Sequence, residues 1–396
     1  MKTAYKCTFA AALLGYVCQA VVNMFVPLLF VTFMDGFGIG SGMISLLVTV
    51  NFGVQLCVDL LSAKFVDKIG YKFCAVTAHA LIACGLVCLT VLPFVMPPFA
   101  GLVISGCIYA VGGGLLEVLI SPVVESLPTD NKAGSMSFLH SFYCWGCLLV
   151  VGLSTAFFAA VGTGHWRVLS LLWAILPILN GFFFLFVPVP EPRSETGGMT
   201  LKNALSAKFI WILMLLMVCA GASEQAVSQW ASAFAEAGLG IDKTLGDVLG
   251  VCMFALLMGS SRMIYAKLSR RMDVGVAITA SGALCVLSYL GMTLIPSPAI
   301  NLIFCGVCGF SVGVLWPGLF STASKALPDG GTVMFALLAL AGDIGCAAGP
   351  AVVGVVSEPA GDLKWGILAA IVFPAVLVVM SFFLRKKGTR NRLRVK

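Results

Sequence analysis

The chain reads as an all-α membrane protein of twelve transmembrane helices in two pseudo-symmetric six-helix bundles. Three observations predict this. Hydrophobic residues make up 60% of the 396 and charged residues only 10%, where a soluble domain carries about 25% charged. The apolar residues fall in twelve runs, each of about 20 to 28 residues, enough to cross a hydrocarbon core of about 30 Å as a helix. Twenty of the 24 Lys and Arg lie on one side of the zigzag those runs make. Backbone polar groups cannot be left open to lipid, so only helices or a closed barrel qualify, and the runs lack a barrel strand's alternation.

In order, the runs cover 8–33, 41–66, 73–93, 99–125, 133–160, 167–188, 209–235, 246–268, 275–295, 300–325, 331–356 and 365–384. Short connections rich in turn residues join them, such as Asp35-Gly36-Phe37-Gly38, Leu127-Pro128-Thr129-Asp130-Asn131 and Pro328-Asp329-Gly330-Gly331. Cations flank every second connection: Lys64, Lys68 and Lys72 after the second run, Lys267, Arg270 and Arg271 after the eighth, and seven Lys or Arg in the tail. Only Arg167, Lys243 and Lys364 fall on the opposite face, and Arg262 lies inside a run. The positive-inside rule makes the crowded face cytoplasmic, with both termini inside. The net charge of +7 is thus a topology signal, and basic residues split among loops do not form a nucleic-acid groove. The first run is too long for a signal peptide, so it is expected to stay in the protein. The 15 Cys lie mostly inside runs and read as small apolar fillers. A bacterial cytoplasmic membrane and a monomer are the expected setting.

The hydrophilic stretch 191–208 divides an N-terminal bundle, 1–190, from a C-terminal bundle, 209–396, which ends in a basic cytoplasmic tail. The halves repeat weakly at an offset near 200. Ala63-Lys64-x-x-Asp67-Lys68 matches Ala266-Lys267-x-x-Arg270-Arg271, Ser121 matches Ser321, and Leu127-Pro128 matches Leu327-Pro328. Parallel six-helix repeats mark transporters whose site lies near the midplane between the halves.

Ionisable groups inside a bilayer cost about 2.5 to 3.5 kcal/mol each on insertion scales and so need a partner or a task. Glu117 and His140 stand about 16 to 18 Å from the Pro128 turn on antiparallel neighbours, so the two side chains share a level and could pair. Glu224 lies near mid-membrane with Gln225, Ser228 and Gln229 close in sequence. This lining suits a sugar: carboxylate and amide groups for hydroxyls, with Trp145, Trp230 and Trp316 as stacking surfaces. Asn23 in the first run and Asp343 in the eleventh complete the candidate substrate and proton set. The blander readings are helix–helix hydrogen bonds for the amides and interface anchoring for the Trp residues. Asp59 and Arg262 stand 203 residues apart, the offset that also relates Asp67 to Arg270. With Glu125 and Lys68 these form the candidate gating set near the cytoplasmic side. Gly112–Gly114, Gly309, Gly313, Gly345 and Gly349 are placed for close helix approach.

The segment Ala63-Lys64-Phe65-Val66-Asp67-Lys68-Ile69-Gly70-Tyr71-Lys72 resembles the loop signature G-x-x-x-D-R/K-x-G-R/K-R/K of the major facilitator superfamily, in its usual place between the second and third spans. Ala63 stands for the usual Gly and Tyr71 for a basic residue. The resemblance implies that Asp67 and its cations latch the halves in an outward-open state. Leu139-His140-Ser141-Phe142-Tyr143-Cys144-Trp145-Gly146, Glu224 followed by Trp230, and Leu315-Trp316-Pro317-Gly318 are similar to patterns of the fucose–proton symporter group. That likeness implies proton coupling at Glu117. Where that group has a first-span Asp, this chain has the amides Gln19 and Asn23.

The expectation is therefore a secondary transporter, moving a small polar solute by alternating access together with a proton. A monosaccharide or glycoside is the expected solute. An exporter or uniporter of another metabolite, and a transporter-like receptor, stand as alternatives. No phosphate-binding loop and no H-E-x-x-H is present, so neither an enzyme nor a cofactor is expected. The partners are the solute, H+ and the bilayer.

Overall fold

The computed structural model describes residues 3–39, 41–190, 199–231 and 247–392. Lys243, Arg193 and residues 191–198 of the 191–208 linker lie outside the described residues. The first half comprises α1 (Thr3–Met24), α2 (Phe30–Phe37), α3 (Ser41–Ile69), α4 (Tyr71–Val95), α5 (Pro98–Ser126), α6 (Lys132–Val161) and α7 (Trp166–Phe186). A short α8 (Leu201–Ser206) leads into α9 (Lys208–Ser228). A π-helical turn, Asp247–Cys252, opens α10 (Met253–Leu268). The chain then runs through α11 (Val274–Leu294), α12 (Pro298–Val312), α13 (Leu315–Ala326), α14 (Gly331–Ala360), α15 (Leu363–Ala370) and α16 (Val372–Arg392). Among the described residues eleven helical stretches are long and apolar enough to span a membrane; α3 adds a shorter apolar stretch, Thr49–Ser62.

Three expected spans are interrupted, each beside a proline, which has no N–H to give the carbonyl four residues back. The first breaks into a 3-10 turn, Val26–Leu29, around Pro27. The tenth breaks at Gly313 and Val314, just before Pro317. The twelfth is divided at Ile371, before Pro374. The seventh was expected to reach residue 235, but α9 ends at Ser228 and residues 232–246 lie outside the described set.

Packing divides the chain into two compact units. Unit one is Met1–Thr129, Phe142–Leu201 and Gly331–Ala336; unit two is Asp130–Ser141, Lys202–Gly330 and Leu337–Lys396. In unit one, α4 packs on α5 and α7, and α5 on α3 and α1. The α4–α5 seam is close because glycines line it: a Cβ on Gly112 would sit 2.4 Å from the Ala78 carbonyl oxygen. In unit two, α12 packs on α10 and α11, and a Cβ on Gly309 would sit 2.4 Å from the Phe254 carbonyl oxygen. Lipid gives helices no hydrophobic reason to associate, so close backbone approach is what holds such seams. Outward faces are apolar, with Leu179, Phe186, Ile303 and Val355 among the most exposed side chains.

Arg167, one of the few cations on the sparsely charged face, lies over the Phe94 ring at 4.4 Å, and Phe94 stacks on Trp166. A cation over an aromatic ring is stabilised without a counter-ion.

Candidate functional site

Each unit carries a buried polar cluster built from the candidate residues. In unit one, Gln19 and Asn23 stand four residues apart on α1, and Asn51 and Gln55 four apart on α3. That spacing puts each pair on one helix face. Gln19 Nε2 donates to Glu117 Oε2 on α5 at 3.0 Å and to Gln55 Oε1 at 3.0 Å. Gln55 Nε2 and Asn51 Nδ2 both donate to Asn23 Oδ1, at 3.1 and 3.2 Å. Asn23 Nδ2 donates to the Tyr143 hydroxyl at 3.3 Å. These bonds fix every amide's orientation. Among the described residues, they leave two buried oxygens without a donor: Gln19 Oε1 and Asn51 Oδ1.

The second cluster gathers on Arg262 of α10, which is 3% exposed. Its Nη2 lies 3.5 Å from Glu224 Oε2 on α9, an ion pair. Its Nη1 donates to the His140 carbonyl and its Nε to the Gly313 carbonyl, both at 2.9 Å. The Ser137 hydroxyl donates back to the Arg262 carbonyl at 2.7 Å. From Glu224 an amide ladder climbs α9: Gln225 Nε2 points at Glu224 Oε1 at 3.4 Å, and Gln229 Nε2 donates to Gln225 Oε1 at 3.0 Å. An aromatic wall of His140, Phe320 and Trp316 flanks the pair, with ring centroids 5.6 and 6.2 Å apart. Trp316 seats on Gly342, where a Cβ would come within 2.2 Å of the indole. Its buried Nε1–H has no acceptor among the described residues. Asp343, half-buried, follows Gly342 directly.

The structure thus joins Glu224 with Gln229 through Gln225, ties Arg262 to Glu224, and brings Asn23 to Glu117 through Gln55 and Gln19. Glu117 belongs to unit one and His140 to unit two. Trp230 is half-buried and donates from Nε1 to the Pro350 carbonyl at 3.3 Å. Trp145 is placed elsewhere than in a polar cluster: with Leu14, Phe142, Leu149, Leu172 and Leu179 it lines an apolar groove of about 480 Å³ in unit one. Of the three Trp residues expected as stacking surfaces, Trp316 is the one placed beside the Arg262 cluster.

Of the gating set, Asp59 is fully buried on α3 and Glu125 half-buried on α5. Lys68 and Arg270 are exposed. Asp67 accepts a hydrogen bond from the Thr332 hydroxyl, which is also bonded to the Tyr71 hydroxyl. Tyr71, which stands where a cation was expected, therefore closes a chain of two hydroxyls and a carboxylate. Asn51, Gln55, Tyr143 and Thr332 escaped the sequence reading. The spacing of four between Asn51 and Gln55 was the available signal. Among the described residues no cluster of three or more His, Cys, Asp or Glu is placed to hold a metal ion.

The profile of the Major Facilitator Superfamily matches residues 9–350. Membrane protein MosC of Rhizobium meliloti is 25% identical over 296 residues, covering 74% of this chain and 70% of MosC. A major facilitator transporter, FucP, solved in the outward conformation, superposes with a TM-score of 0.81 at 16% identity, over 96% of this chain and 99% of that one. The proton:xylose symporter XylE bound to 6-bromo-6-deoxy-D-glucose gives 0.81 at 12% identity, over 95% of this chain and 94% of that one. At these identities the structural likeness is one of fold.

Proposed function

The chain belongs to the major facilitator superfamily, and from that premise we propose that it carries a small polyhydroxylated solute, a monosaccharide or glycoside, across the cytoplasmic membrane with a proton. As a member it is an integral membrane secondary transporter and not an enzyme. The solute, the proton and the membrane are the parts proposed.

One observation carries the reading. Unit one holds buried acceptors without donors, Gln19 Oε1 and Asn51 Oδ1, and unit two a buried donor without an acceptor, Trp316 Nε1. Leaving such groups unmet costs about 1 to 3 kcal/mol each. A hydroxyl donates as well as accepts, so a solute with several hydroxyls can supply the donors that Gln19 Oε1 and Asn51 Oδ1 lack; within unit two, Trp316 and Phe320 offer apolar faces of the kind a sugar ring packs on. Fucose and xylose symporters share the fold, which agrees with this class.

Proton coupling is assigned to Glu117. An ionised carboxylate accepts from Gln19; a protonated one can donate. A proton there would repolarise the amide chain that runs to Asn23 and Asn51, so proton and solute would bias the same network. Alternating access would move the bundles 1–190 and 209–396 about the 191–208 linker, with both termini cytoplasmic and Asp67 in the latch.

The test is counterflow and pH-jump uptake in proteoliposomes over a panel of monosaccharides and glycosides, comparing wild type with Glu117→Gln. Symport predicts exchange in both proteins and proton-driven accumulation in wild type alone. Exchange with no proton-driven accumulation in wild type makes the protein a uniporter. Binding without flux makes it a receptor. Failure of every sugar to exchange ends the sugar assignment.

A further inference from the structure

Pro317 cannot donate to the carbonyl of Gly313, four residues back. Inside a membrane no bulk water replaces the missing bond, so another group must. Here that group is Arg262 Nε, 2.9 Å from the Gly313 oxygen. The approach is possible because position 313 is glycine: a Cβ there would lie 2.7 Å from the Met258 carbonyl oxygen and 3.0 Å from Ser261 Cβ. The helix resumes cleanly past the break, with Gly318 N–H bonded to the Val314 carbonyl at 2.9 Å.

The same guanidinium faces Glu224 through Nη2 and the His140 carbonyl through Nη1. A guanidinium is rigid and planar, so its prongs move together. A change at the Glu224 end turns the plane and alters the bond at Gly313. Trp316, three residues beyond Gly313, lies on the far side of the same break.

We propose that Arg262 is a positioning residue that stands in for the N–H absent at Pro317 and couples the charge state of Glu224 to the break in the tenth span. The coupling rests on the substrate and proton role expected from the sequence for Glu224; the capping of Gly313 does not.

Hydrogen–deuterium exchange of the purified full chain, read on peptides covering 311–320, tests both parts without any solute. Arg262→Lys keeps the charge but loses the fork, and is expected to speed exchange at the break about tenfold or more, the loss of one charge-assisted hydrogen bond. Pro317→Ala restores the backbone donor, so exchange in the Arg262→Lys, Pro317→Ala double variant returns to within about threefold of Pro317→Ala alone. Glu224→Gln, which does not touch the break, is expected to change exchange there by about threefold or more while α4 and α5 stay as in wild type. Unchanged exchange in Arg262→Lys, or an equal effect with and without Pro317, would overturn the capping role. Wild-type exchange at the break in Glu224→Gln would overturn the coupling. If Arg262→Lys does not fold, recovery of a folded chain in the double variant supports the capping, and failure of both to fold counts against it. A sugar assay that fails leaves each of these outcomes readable.

Discussion

At Arg262 a charge is held almost wholly out of solvent, and the cost of holding it depends on whether Glu224 is there. Removing one partner of a buried pair costs about 3 to 5 kcal/mol, whereas replacing both by apolar groups of similar volume is often near neutral. Arg262→Met is therefore expected to lower the thermal midpoint in detergent markedly, and Arg262→Met with Glu224→Leu to recover most of the loss. No recovery would mean that the carbonyl bonds at Gly313 and His140, and not the pairing, dominate. Asn51 poses the opposite case. Its Nδ2 holds Asn23, but its Oδ1 faces no described donor. Asn51→Ala is expected to raise the counterflow KM of the transported solute about 3- to 10-fold, one lost hydrogen bond, with a much smaller change in thermal midpoint. A KM equal to wild type would remove Asn51 from the solute-facing surface.

Among helices, the seam of α9 with α14 is close-packed through glycine. A Cβ on Gly345 would lie 2.1 Å from the Val218 carbonyl oxygen, and one on Gly349 2.4 Å from the Ala222 carbonyl oxygen. Backbone cannot step aside as a side-chain tip can. Gly349→Ala is expected to cost about 1 to 3 kcal/mol, visible as a lowered thermal midpoint. Gly152→Ala on α6, where no atom lies within 4 Å of the added carbon, is its control and should be neutral or mildly stabilising. Equal effects at the two positions would refute the seam. The sequence shows where helices lie, because each span needs its apolar run. The breaks are less visible. Pro93, Pro122 and Pro177 sit inside continuous helices, while Pro27 and Pro317 accompany interruptions. A proline's presence announces a missing donor; what happens next depends on neighbours several spans away.

For the molecule as a whole, two short segments pack apart from their sequence halves. Asp130–Ser141 joins unit two and Gly331–Ala336 joins unit one, and both begin helices about 200 residues apart. Side-chain hydrogen bonds explain each placement. Asn131 Nδ2 donates to the Ser269 hydroxyl at 2.8 Å, and Thr332 bridges Tyr71 and Asp67. The second set uses no cation, which a reading from the loop signature alone would not suggest. Thr332→Val is expected to change solute turnover about tenfold, from the loss of a hydrogen bond to a charged group, with little effect on KM. Unchanged turnover would exclude this chain of hydroxyls from gating. Class and span order were legible in the sequence, and Glu117, Glu224 and Asp67 could be picked out there as candidates, because charge in or beside an apolar run stands out. Partnerships were less so: repeat arithmetic related Arg262 to Asp59 in a gating set, and in the structure Arg262 meets Glu224, His140 and Gly313. An offset compares levels along helices, and a long side chain can leave its level.

The hub also bears on how the protein is made. The eighth span, Leu249–Leu268, has a mean hydropathy of 1.5, the lowest of the eleven, and it contains Arg262. During synthesis Glu224 and His140 precede it into the membrane, but Gly313 follows some fifty residues later. The break in the tenth span presents the negative end of α12's peptide dipole to that waiting cation, a favourable interaction of about 0.3 to 2 kcal/mol. Arg262 therefore completes its bonding only after a later helix has arrived.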